Sequence, residues 1–182
     1  SSRGPFGYVH NGADDNASGV AGVLESADAF ARLSPAPKRS ILFAFWDGEE
    51  QGLLGSRHYV SHPTVPLGRV VFAVHADMIG RMQGGALTVF GTRSGAGLRR
   101  LTSENNGPLD LQIDFNWELV ANSDHFPFHT QGIPTLLFHT GIHADLHRPS
   151  DDVERINPEG MERAARLLFQ VAYALAEQAE VC

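Results

Sequence analysis

A single cysteine, Cys182, stands at the last of 182 positions, so no disulfide can form within the chain and its fold must rest on a core. No apolar run approaches the ~18 residues needed to cross a bilayer, so the sequence offers no membrane-spanning segment. Basic clusters are also missing: Lys and Arg never exceed two in a row, and 14 basic against 21 acidic residues leave a net charge of −7. That balance argues against a nucleic-acid partner. Residues 1–8 have neither the basic flank nor the apolar centre of a signal peptide. No internal repeat or low-complexity tract occurs. The chain opens without Met inside a polar, Gly-rich loop, which reads as a domain incomplete at its N-terminus.

What is present suits one domain over residues 1–182, with 42% hydrophobic and 19% charged residues. Nine histidines are a mild excess that hints at metal chemistry. Residues 1–17, rich in Gly, Asn, Asp and Ser, read as loop. Val20, Val23, Leu24, Ala27 and Ala31 recur at helical spacing and predict a helix over 18–33, stopped by Ser34-Pro35-Ala36-Pro37. Residues 40–46, SILFAFW, form a continuous apolar run of strand length, expected as a buried parallel strand. A short helix follows over 53–60. Further strands are predicted over 70–74, 87–90 and 134–139, with an edge strand over 111–115 and a helix over 98–104. The last helix is capped by Asn157, with Pro158 at its first position. Met161, Ala164, Ala165, Leu168, Ala172 and Leu175 form its expected buried stripe. Strands alternating with helices imply an α/β fold, a three-layer α-β-α sandwich around a mixed, mainly parallel sheet. In such a sheet, chemistry gathers beyond the carboxyl ends of the strands.

Four clusters fall at such places. Asp47-Gly48-Glu49-Glu50 follows SILFAFW. Adjacent carboxylates repel unless each has its own task, and a hydrolytic metal site supplies two: ligand and proton acceptor. Asp14 and Asp15 stand in NGADDNASG, just before a helix. Asp77 ends the strand over 70–74. His147 lies in LHRPSDD with Asp151 close behind, an arrangement that suits a metal ligand oriented by a carboxylate. Taken singly, these also fit a solvated acidic turn, a helix cap, a structural strand-end Asp and a surface loop. Together, Asp, Glu, Asp and His with room for water match a catalytic zinc site. His139, His143 and His147 are spaced by four, but Thr140-Gly141 breaks any helix there, so only His147 reads as a ligand.

The ordered blocks NGADDNASG, DGEEQGLLGS, HADMIG, NSDH…GIP and LHRPSDD resemble the co-catalytic (di-zinc) aminopeptidase family, whose fold is shared with glutaminyl cyclases and the transferrin-receptor ectodomain. The resemblance implies that Asp15 bridges two zinc ions and that Glu50 and His147 complete the first site. Asp77 binds the second zinc, and Glu49 acts as general base toward a metal-activated water. Ser123, Asp124 and His125 are expected beside the substrate pocket, with Asp151 behind the ligands. The Asp15–Asn16 peptide is expected to be cis. The substrate is then a peptide with a free N-terminus, and relatives of this kind imply a periplasmic or extracellular location. Two departures stand out. The family takes a second-zinc ligand from a His-x-Asp strand end upstream, which this chain does not contain, so about one zinc is expected here rather than two. Leu146 occupies a position where many members carry Tyr. The complete set Asp15, Glu50 and His147 also fits a single-zinc, glutaminyl-cyclase-like acyltransferase. A non-catalytic, receptor-like binding domain is the third reading.

Overall fold

The computed structural model describes residues 3–178; Ser1, Ser2 and the segment ending in Cys182 lie outside it. Four strands, β1 (Ala73–Ala76), β2 (Ala86–Phe90), β3 (Gln112–Asn116) and β4 (Thr135–His139), form one sheet in the order β1-β4-β2-β3. β1 and β4 are parallel, as are β2 and β3, while β2 runs antiparallel to β4. The sheet is therefore mixed and mainly parallel, and β1 and β4 end on the same side. β4, TLLFH, is flanked on both edges and covered on both faces, which explains its unbroken apolar run. At the edge, β3 alternates exposed and half-buried residues.

Helices α1 (Gly19–Ala31), α3 (Leu98–Asn106) and α5 (Pro158–Glu177) pack together, while α2 (Leu54–Ser61) pairs with the short α4 (Phe126–Thr130). The larger core joins Ala164, Leu167, Leu168 and Val171 of α5 to Leu87, Val89, Leu136 and Phe138 of the sheet. A second core sets Tyr59 of α2 and Phe128 of α4 against Ile133, Trp46 and Ala73. Asn157 caps α5 as expected, its Oδ1 accepting from Gly160 N (3.0 Å). Among the described residues, no helix is long and apolar enough to cross a membrane.

Several sequence expectations are corrected. Among the described residues, 40–46 have no strand partner; Leu42 and Phe45 are 58% and 49% exposed. The segment is nonetheless anchored on both sides, Phe43 against Phe30 of α1 and Trp46 against Tyr59 and Phe128. Regular pairing in β1 begins at Ala73, three residues later than predicted. On α1 the buried positions are Gly19, Gly22, Ser26 and Phe30, while Val20 and Leu24 face solvent. Small residues let this helix press close: at Gly22 a β-carbon would meet Ile79 at 2.7 Å. The α5 stripe centres on Leu167 and Val171 rather than Met161 and Ala172. Helix α4 was not anticipated; five residues are too few to show a period.

Candidate metal centre

The turn 13–18 enters α1 off helical geometry at Asp15 (φ −107°, ψ 91°) and Asn16 (φ −131°, ψ 38°), and the Asp15–Asn16 peptide is cis. Nearly every polar group of this turn is engaged. Asp14, fully buried, accepts from Ser18 Oγ (2.9 Å) and Gly80 N (2.7 Å) through Oδ1, and its Oδ2 meets His143 Nε2 at 3.0 Å. Asn16 Oδ1 accepts from Gly19 N (3.1 Å) and Met78 N (3.2 Å), while its amide nitrogen donates to Ala76 O (3.1 Å). Gly19 is required here, because a β-carbon would collide with Ala76 O and the Asn16 side chain. Asp151, 1% exposed, accepts from the backbone amides of Asp14 and Asp15, each at 3.0 Å to Oδ2. These bonds leave the Asp15 carboxylate presented outward at the carboxyl ends of β1 and β4.

His147 Nε2 lies 3.0 Å from Asp15 Oδ2 and 2.6 Å from Glu50 Oε1. One ligand atom from each of Asp15, Glu50 and His147 falls within 4.8 Å of the others. His147 reaches this place from a backbone at φ 60°, and the Glu49–Gln51 turn is framed by Gly48 (φ 68°) and Gly52 (φ 102°). Left-handed residues thus aim both segments inward.

Like charge crowds the centre. Burial pushes Asp15 up to about 6, helped by Asp77 and Glu50 and opposed by His147. Burial likewise raises Glu49 to about 7, with Asp77, Glu50, Asp124 and Asp15 adding to it. Asp77 rises to about 6, mainly through burial, although a hydrogen bond from Ser123 opposes the rise. Ser123 Oγ donates to Asp77 Oδ2 (2.6 Å) and also meets His75 Nε2 (2.8 Å). Since the single hydroxyl proton goes to the carboxylate, His75 Nε2 must be the donor to Ser123. Asp77 Oδ1 is buried with no hydrogen-bond partner among the described residues, an orphan acceptor that a cation would satisfy. A buried and a half-buried carboxylate with raised pKa values, a shared imidazole and this orphan oxygen form a donor set that fits zinc.

The structure therefore brings Asp15, Glu50 and His147 into direct contact, sets Glu49 and Asp77 within their field, and seats Asp151 beneath Asp15. Asp124 is held by a short hydrogen bond from Ser56 Oγ, and burial raises its pKa. His125 is 1% exposed; its ring nitrogens have no hydrogen-bond partner, and burial, then His129, lowers it to about 4. It packs beside His75, with ring centroids 6.3 Å apart. Leu146 is turned inward at 8% exposure. Sequence reasoning missed His75, Arg81 and the bond from His143 to Asp14. His75 had a signal, since it lies two residues before Asp77 on the same side of the strand.

Residues 2–172 match the sequence profile of peptidase family M28. Aminopeptidase YwaD of Bacillus subtilis is 31% identical over 172 residues, covering 89% of this chain and 37% of the relative. The probable lipoprotein aminopeptidase LpqL of Mycobacterium tuberculosis is 39% identical over 84 residues, covering 46% of this chain and 17% of the relative. The crystal structure of the Legionella pneumophila LapA aminopeptidase superposes with a TM-score of 0.82 at 26% identity, covering 94% of this chain and 48% of that one. The chain thus spans less than half the length of each.

Proposed function

Since the chain belongs to peptidase family M28, we propose that it carries the centre of a zinc-dependent aminopeptidase, residues 1–182 being read as one catalytic domain. The observation that carries this reading is the cluster of Asp15, Glu50 and His147 ligand atoms within 4.8 Å of one another. Those three residues would hold a first zinc, and Asp77, with its unpartnered Oδ1, would contribute to a second position that the described residues leave incomplete. Zinc bound there supplies a Lewis acid that polarises the scissile carbonyl and makes water more acidic. Glu49, raised to about 7, is matched to neutral pH as a general base. It takes the proton of the attacking water and returns it to the leaving amine. The surrounding carboxylates favour the cationic free N-terminus of a peptide, which restricts cleavage to the terminal residue. The relative named as a lipoprotein supports a periplasmic or extracellular location.

Hydrolysis of aminoacyl-nitroanilides with added zinc tests this reading. Glu49→Gln is expected to keep zinc binding and lose about 10²–10⁴-fold in kcat, the usual worth of general acid–base catalysis. A kcat within tenfold of the unaltered chain removes Glu49 from the role. One observation favours a second reading, single-zinc acyl transfer: among the described residues, only one three-ligand set is complete. Release of a free amino acid rather than a cyclised N-terminus decides between the two.

A further inference from the structure

Building on the metal-centre reading above, we propose that Arg81 is a positioning residue that fixes the spacing between the two segments presenting Asp15 and His147. Arg81 lies four residues beyond Asp77, with its side chain 12% exposed. One arm of its guanidinium, Nη2, donates to Asp145 Oδ2 at 2.9 Å. The other, Nη1, is buried without a hydrogen bond and points toward Asp151 Oδ1 at 3.8 Å. Asp145 and Asp151 bracket His147 in sequence, so one cation braces both ends of the loop that delivers this ligand.

The loop between them is closed by its own bonds, Arg148 N to Asp145 O (3.0 Å), Asp151 N to Arg148 O (3.1 Å) and Ser150 Oγ to Asp145 Oδ1 (2.7 Å). It therefore moves as a unit when its ends move. Asp151 also reaches the other ligand segment, because its Oδ2 holds the amides of Asp14 and Asp15. The chain of contacts runs from His147 through its loop to Asp151 and Asp145, across Arg81, and back to Asp15. Arg81 is itself fixed at its backbone, where its N donates to Thr140 Oγ1 (3.2 Å) beyond β4. A planar fork can face two carboxylates at once; a lysine ammonium, a point charge, cannot span them in the same way. Without the cation, only backbone amides are left to stabilise the buried Asp151 carboxylate, whose charge adds to the repulsion on Asp15.

The test measures zinc affinity of the full chain by competition with a chromophoric chelator, with thermal melting of the zinc-free protein alongside. Arg81→Met is expected to weaken zinc binding about 10–100-fold, the usual cost of losing a residue that orients metal ligands. Arg81→Lys should fall between it and the unaltered chain. A merely structural Arg81 would lower the melting temperature yet leave the zinc Kd within twofold, and that result overturns the proposal. If Arg81→Met does not fold, Arg81→Lys and Asp145→Asn decide. A loss of several-fold in zinc affinity in both supports it, and values within twofold in both overturn it. Absence of zinc binding by the unaltered chain would instead overturn the metal-centre reading, and Arg81's role with it.

Discussion

Zinc and protons compete for the same oxygens, so the affinity of this chain for zinc should depend steeply on pH. Asp15 is raised from 3.8 to about 6. At pH 5 roughly one molecule in ten then has Asp15 ionised, and at pH 7 roughly nine in ten, so this group alone makes binding about tenfold tighter at pH 7. Asp77, also near 6, must lose its proton to welcome a nearby cation, which extends the range to about 100-fold. The sign can be checked against folding. A carboxyl whose pKa is raised in the folded state costs the zinc-free protein stability as pH rises past about 4 toward 6, and zinc relieves that cost. His75 and His125, lowered by burial to about 3 and about 4, oppose this in the zinc-free protein. They stay neutral with and without metal in this window, so they drop out of the binding difference. Competition with a chelator calibrated at each pH measures the effect. Asp77→Asn should flatten the profile, because it removes one titrating group and the strongest like charge acting on Asp15. Equal affinity at pH 5 and pH 7, or an unchanged slope in Asp77→Asn, refutes the reasoning.

Elemental analysis after dialysis at micromolar zinc should find about one zinc per chain, the number its complete ligand set supports; two tightly held ions would contradict the ligand assignment. Gly19→Ala places a methyl against Ala76 O, and thermal melting should show a loss of about 1–3 kcal/mol from overpacking. Ser56→Ala leaves Asp124 buried without its hydroxyl donor, which should cost about 1–3 kcal/mol in denaturant unfolding.

The fold was legible where pattern and environment agree. β4, apolar throughout, lies inside the sheet, and Asn157-Pro158 opens α5 where capping chemistry demands. Helix α1 misled because it packs through Gly19, Gly22 and Ser26, so its large apolar residues mark the outer face. Residues 40–46 have the composition of a strand, yet pairing needs a neighbour, which composition cannot supply. In the centre, local blocks placed acidic groups and a histidine beyond strand ends or before a helix, and the family resemblance singled out Asp15, Glu49, Glu50, Asp77 and His147 among them. Arg81 did not stand out, and His143 was noticed only for its spacing from His139 and His147, since their partners Asp145 and Asp14 lie 64 and 129 residues away. Separations of that size leave no local spacing to read.

Beyond β1, three consecutive amides serve side-chain oxygens of three alternate residues of the opposite turn: Met78 to Asn16, Ile79 to Ser18 and Gly80 to Asp14. This toothed seam has no slack. Inserting or deleting one residue on either side would misalign every tooth, so the segment from Asp77 to Gly80 should reject changes in length while nearby surface loops accept them. The seam also binds two timescales together. Its amide protons can exchange with solvent only if the whole row parts, and parting would pull α1 from the sheet. Hydrogen exchange at Ile79 and Gly80 should accordingly track unfolding of the entire domain, making a spot beside the proposed catalytic centre one of the slowest to open.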